Sequence, residues 1–152
     1  MVTRWHLLHL PVWVAEERRP WRRVQEVLLI WSEGRAAGVV LEHWWPEVLF
    51  VPAGEGLAIR PTGVWLAHRS LAVRRPRAWF REQAKSAAQW LGRPVVDGAG
   101  QEVGRLKDVV IDEETWTVAG AVISRGLLRD LLDGAWVVDW REFQGSGGLR
   151  MK

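Results

Sequence analysis

Val24–Leu41 reads VQEVLLIWSEGRAAGVVL, and Leu106–Ile123 reads LKDVVIDEETWTVAGAVI. Laid over each other without a gap, the two stretches keep a constant offset of 82 residues, so that Val27 falls on Val109, Ala37 on Ala119, Gly38 on Gly120 and Val40 on Val122. Glu26 and Asp108 agree in charge, and Leu29 and Ile111 agree in apolar character. Upstream, Pro11-Val12 recurs as Pro94-Val95 at an offset of 83, one residue having been inserted in a turn between. A fixed long period is the signature of repeated modules, so the chain is expected to be built from two related units.

Each copy carries strand signals. Val24–Trp31 and Leu106–Ile111 are β-branched and aliphatic runs, each followed by a polar break, Ser32-Glu33-Gly34 or Asp112-Glu113-Glu114. A second run then follows, Ala36–Leu41 or Thr117–Ile123, which makes strand, tight turn, strand: a hairpin. Gly38 and Gly120 sit inside their second strands, where glycine weakens pairing unless a bulge or a close approach demands it. A third run closes each set, Val48–Val51 and Ala135–Val138. Between the copies, PRAWFREQAKSAAQWL (Pro76–Leu91) has proline at its start and Phe80, Ala84, Ala87 and Leu91 at helical spacing, which predicts one amphipathic helix. A second, shorter helix is expected at Leu127–Leu132.

The second copy, LGRPVVDGAGQEVGRLKDVVID followed by VAGAVIS and WVVDWREF, resembles the PRC-barrel family. The resemblance rests on Leu91-Gly92-Arg93-Pro94-Val95, on Gly104 before Leu106, on Asp108 and Asp112 around Val109–Ile111, and on Val137-Val138 before Trp140 and Phe143. The first copy is more degenerate but keeps Pro11-Val12, Gly34-Arg35, Val51-Pro52 and Leu57-Ala58-Ile59. The family comprises the cytoplasmic domain of the photosynthetic reaction-centre H subunit, the C-terminal domain of a small-subunit ribosome maturation factor, and many small bacterial proteins. The resemblance implies a mainly β fold: two tandem small barrels, residues 1–75 and 91–152, joined by one helix over 76–90. It implies a cytoplasmic docking module, since the named members act by attaching to larger assemblies. Two departures stand out. Asp139 replaces the proline seen at Val51-Pro52, and only Gln144–Lys152 remains after Phe143, so the last strand must be very short, near Leu149–Met151, or be supplied by the first module, a second copy of the chain or a target strand. The first copy has its full ending, with strands near Gly63–Ala67 and Leu71–Arg74.

Composition agrees with a folded domain pair. Apolar residues make up 48% of 152 residues, too many for a disordered chain. Modules of about 75 residues have thin cores, and each gains from packing on the other. Twelve tryptophans and no tyrosine supply large rings that compensate. Without cysteine there is neither a disulfide framework nor thiolate chemistry. No run approaches the roughly 18 apolar residues of a spanning helix. The stretch Leu7–Ala15 is broken by His9 and Pro11 and followed by Glu16-Glu17, which favours a strand over a secretion signal. The net charge of +3 sits wholly in residues 1–76, where ten Arg face seven Glu.

No residue constellation indicates catalysis, a metal or a cofactor. Asp97-Gly98 reads as a hairpin turn, and Asp112 as a cap for the turn that follows its strand. His6 and His9, three apart on an expected strand, would point to opposite faces. Ser32, Ser70, Ser86 and Ser124 lack a nucleophile elbow. Two sets of surfaces remain. Trp44 and Trp45, in the loop after the first copy's second strand, correspond to Leu127, Leu128, Leu131 and Leu132 in the second. These apolar sets either pack on each other between the modules or, if exposed, mark a protein partner, including a second copy of the chain. The other set is basic: Arg18, Arg19, Arg22 and Arg23 around Trp21, and Arg69, Arg74, Arg75, Arg77 and Arg81. Arginine beside indole can hold phosphate and stack on a base, so the alternative partner is RNA or the ribosome.

Overall fold

A computed structural model of the chain describes residues 1–44, 46–143 and 149–152, with the side chains at 44 and 81–83 outside the described set. The chain opens with β1 (Val2–Thr3) and one helical turn, α1 (Arg4–Leu7), then β2 (Pro11–Val14), β3 (Arg22–Arg23) and the hairpin of β4 (Glu26–Ile30) and β5 (Arg35–Trp44). It continues through β6 (Glu47–Pro52), β7 (Leu57–Arg60), β8 (Gly63–Leu66), β9 (Val73–Pro76) and α2 (Arg77–Gln83). The second half holds β10 (Lys85–Ser86), β11 (Pro94–Val96), β12 (Glu102–Ile111), β13 (Val118–Ser124), α3 (Leu127–Asp133) and β14 (Trp136–Asp139).

The fold is mainly β, as the alternating runs predict. Three sheets form: β10-β4-β5-β6-β9, β3-β2-β8-β7, and β1-β12-β13-β14 with β11 also on β12. Among the described residues none of them closes into a barrel. The two hairpins named by the sequence have the same register. Val27 faces Val39 and Leu28 faces Gly38, a bulge follows, and Leu29 faces Ala36. Val109 faces Ala121 and Val110 faces Gly120, a bulge follows, and Ile111 faces Val118. The glycines answer a steric demand. A Cβ on Gly38 would collide with the Val51 carbonyl oxygen, and one on Gly120 would stand 2.6 Å from the Val138 carbonyl oxygen.

The opening segments are exchanged between the halves. β1 pairs with β12 of the second half, Val2 with Ile111 and Thr3 with Val110. β10 pairs with β4 of the first, Lys85 with Leu29 and Ser86 with Leu28. Each of these two-residue strands runs into a helical turn capped by its own hydroxyl: Thr3 accepts from the His6 amide and Ser86 from the Ala88 amide. This exchange shortens the helix expected over Pro76–Leu91. Helix α2 stops at Gln83, because Lys85 and Ser86 are extended on β4. Ala87 is drawn fully into the core. His6 likewise lies on α1 rather than on a strand, which replaces the two-face argument about His6 and His9.

The halves also meet directly. Ala36 donates to the Trp116 carbonyl (2.7 Å), and Val118 donates to the Gly34 carbonyl (2.8 Å), around an antiparallel bridge of Arg35 and Thr117. These positions exchange under the 82-residue offset, so the contact is locally two-fold. Trp31 stacks on Trp90 (4.9 Å) and meets Trp140 edge-on (4.6 Å) across the same junction. One core therefore runs from Leu7 to Leu149 through both halves. The short ending expected near Leu149–Met151 is present as two bridges: Arg150 runs parallel to Val96, and Met151 faces Phe143.

Candidate partner-binding surface

Sheet β10-β4-β5-β6-β9 has two apolar faces. Its outer face carries Leu28, Val40, Val48 and Phe50, all buried under Phe80 of α2 and Ala84. Its edge at β6 is paired along Glu47–Phe50 by β9. Phe50 and Phe80 meet edge-on at 5.3 Å. A strand followed by a short amphipathic helix thus covers this face and its edge.

The corresponding face of the other sheet has no such cover among the described residues. By register its outward apolar positions are Val110 on β12, Val122 on β13 and Val137 on β14; Val122 faces Val137 on one side and Asp108 on the other. None of the three is buried, and Val137 is 60% exposed. β14 ends the sheet, so among the described residues its outer edge has no paired strand.

Helix α3 connects β13 to β14. Leu127, Leu128, Leu131 and Leu132 recur at i, i+1, i+4 and i+5 and form one apolar side. They are 78–83% exposed, and no residue of the helix is buried. Packing of the four leucines between the modules, one of the two expectations, is therefore not what occurs. The helix instead projects from the second half. It is held by polar contacts at its start: Asp130 accepts from the Ser124 hydroxyl (2.5 Å) and from the Arg125 amide (3.0 Å). Those two bonds hold the Asp130 carboxyl below its ordinary value, the Ser124 contact contributing most. Trp45 and the side chain of Trp44 lie outside the described residues.

Burying a leucine side chain stabilises by about 2.5 kcal/mol at about 25 cal/mol per Å², or about 100 Å² each. The four, about four-fifths exposed, present roughly 300 Å². Patches of that size on soluble proteins are often functional.

Residues 82–148 match the PRC-barrel domain family. The PRC-barrel match takes in β10–β14 and α3, and with them the whole leucine surface. No curated protein matches the chain.

Several arginines before the matched stretch are engaged. Arg22 (3.2 Å) and Arg74 (3.6 Å) share Glu42, and Arg69 pairs with Glu17. The guanidinium groups of Arg22 and Arg69 lie 5.1 and 4.9 Å from the Trp21 ring. The fold thus joins the two basic clusters of the sequence but couples them to acids and to the indole they flank. Arg23 donates to the His9 carbonyl and Arg75 to the Arg74 carbonyl. Arg18 and Arg19 are exposed, and the Arg81 side chain lies outside the described set. A cavity of about 260 Å³ opens between α2 and the sheet, floored by Leu28, Val40 and Val48 and rimmed by His43 and Arg77. Partial burial, then the Arg77 charge, holds His43 below its ordinary value.

The carboxylates singled out by sequence serve turns. Asp97 accepts from the Ala99 and Gln101 amides, and Asp112 from those of Glu114 and Thr115. The amide bonds lower the Asp112 carboxyl below its ordinary value. Among the described residues no three His, Asp or Glu side chains converge as metal ligands do. Among the described residues no helix is long and apolar enough to cross a membrane.

Proposed function

We propose that this chain is a non-catalytic protein-interaction module of the PRC-barrel type that docks through α3 and the outer face of β12–β14. The observation that carries the reading is the exposure of four leucines on the one seven-residue helix that leads into β14. A helix this short is marginal in water, and helices in proteins draw most of their stability from packing an apolar side. Helix α3 has the apolar side and lacks the packing. Its working state is one in which the leucines are covered.

The module is read as two PRC-like units, the second complete enough to be matched and the first divergent. Support for this comes from the shared hairpin register, the paired glycines and the exchanged opening strands, all recurring at offsets of 82 or 83 residues. In this reading the first unit uses β9 and α2 to cover its own outer face, while the second leaves the matching face for a partner. The module works in the cytoplasm as an adaptor, with no bound cofactor.

The test is crosslinking in the native cell followed by mapping of the linked residues. Links concentrated within 127–139 support the reading. Links confined to the Trp21 face, or to RNA, overturn it. The Leu128→Asp/Leu131→Asp variant should lose those links while its circular dichroism spectrum stays that of the parent.

A further inference from the structure

The cavity of about 260 Å³ beneath α2 lies on sheet β10-β4-β5-β6-β9, apart from α3 and its surface. We propose that it binds a small free carboxylate with a compact apolar body, of the phenylacetate kind, the ring seated between α2 and the sheet and the acid group at the rim beside Arg77 and His43.

Three observations support this. The first is the floor. Leu28, Val40 and Val48 are each no more than 4% exposed, and Phe80 and Ala84 wall the space from the helix side. Water in such a space wets apolar walls, and an apolar group replaces it favourably. The second is the rim. The Ser86 oxygen accepts from the Ala88 amide, which leaves its hydroxyl proton for another acceptor. The Gln89 amide and the His43 ring can also donate, and Arg77 supplies positive charge. Among the described residues no carboxylate lines the cavity. Donors gathered around a cation select an anionic acceptor over an amine or a metal ion. The third is size. The volume of about 260 Å³ falls below the roughly 300–1,000 Å³ of sites for drug-sized molecules. A single ring with a short acid arm fits it, and a nucleotide or a long-chain lipid does not.

The test is titration of phenylacetate into the isotope-labelled full chain, followed by its amide and histidine-ring resonances. Saturable shifts are expected at Val40, His43, Val48, Phe80 and Ser86, with a midpoint below about 1 mM, and none at 127–139. Phenylacetamide has the same shape without the charge and should bind about tenfold more weakly or worse. Phenylacetate should lose as much on Arg77→Gln, a change at an exposed position. Ala84 is extended, a conformation valine favours, so Ala84→Val should narrow the cavity and abolish binding without lowering the midpoint of urea unfolding. The His43 ring is held low by burial and by Arg77, against the opposing Glu26 charge, and a carboxylate beside it should make it titrate at a higher pH. Equal affinity for the acid and the amide, affinity unchanged by Arg77→Gln, a His43 titration that does not move, or no saturable shift up to about 10 mM would each overturn the proposal. None of these results bears on the α3 surface, so the two readings fail separately.

Discussion

Trp116 offers the sharpest test of how the halves are joined. Its backbone is left-handed, with φ of 60°, as is that of its counterpart Gly34, with φ of 61°. The ring is 5% exposed and its Nε1 donates to the Leu57 carbonyl of the first half (3.2 Å), while its own carbonyl accepts from Ala36. Replacing a buried tryptophan with alanine costs about 3–5 kcal/mol, and a Leu57 carbonyl left unpaired adds about 1–3 kcal/mol where water cannot reach it. Against a typical total of about 5–15 kcal/mol, Trp116→Ala should remove a large part of the stability. The backbone adds a second signature. A non-glycine residue in this conformation costs about 1–2 kcal/mol, so Trp116→Gly should be no less stable than Trp116→Ala, the reverse of the usual order. Urea titration followed by far-ultraviolet circular dichroism measures both. A Trp116→Ala cost below about 1 kcal/mol, or a glycine variant clearly worse than the alanine, would refute the reasoning.

Other expectations follow from single contacts. Glu26 is 7% exposed and takes two bonds of 2.8 Å from Arg4, tying α1 on the second half to β4 of the first. Glu26→Ala should cost about 3–5 kcal/mol in urea, and Arg4→Met/Glu26→Leu should recover much of it, because removing one partner strands a buried charge and removing both does not. Asp112, Asp130 and Glu17 all ionise more readily in the folded chain than usual, through the amides of Glu114 and Thr115, the Ser124 hydroxyl and Arg69 respectively. The unfolded chain then binds more protons, so their contribution is present above about pH 4 and is lost as pH falls through the lower folded values. Stability measured from pH 6 to pH 2 should decline below about pH 4, and less steeply for Asp112→Asn/Asp130→Asn. Because Arg22, Arg69 and Arg74 are bonded to Glu42, Glu17 and the Trp21 indole, labelled single-stranded RNA should show no steep, salt-sensitive binding. A tenfold or greater loss of affinity between about 50 and 200 mM salt would revive the RNA reading.

The hairpins were legible because β-branched runs, polar breaks and in-strand glycines repeat at one offset, and each of those features has a geometric cause in the fold. The exchange of opening strands was not. Val2–Thr3 and Lys85–Ser86 are too short to show a period, and their pairing is decided by partners more than twenty residues away. Helical spacing over Phe80–Leu91 placed Phe80 on the buried side of α2, while Ala84, buried in the same cluster, is already extended past the end of the helix. It could not reveal that β4 would take Lys85 and Ser86 instead of letting the helix continue. The leucines at 127–132 illustrate the converse: spacing identifies an apolar side but carries no information on whether anything covers it. The arginine clusters read as open basic surface because the acids that engage them, Glu17 and Glu42, lie up to 52 residues away.

The most direct measurement is hydrogen exchange of the chain alone and in complex with the partner captured by native-cell crosslinking. The amides of 127–139 should be nearly unprotected in the chain alone and gain protection in the complex, with the rest of the chain unchanged. Exchange at 127–139 that stays fast in the complex, together with new protection over the Trp21 face, would contradict the account.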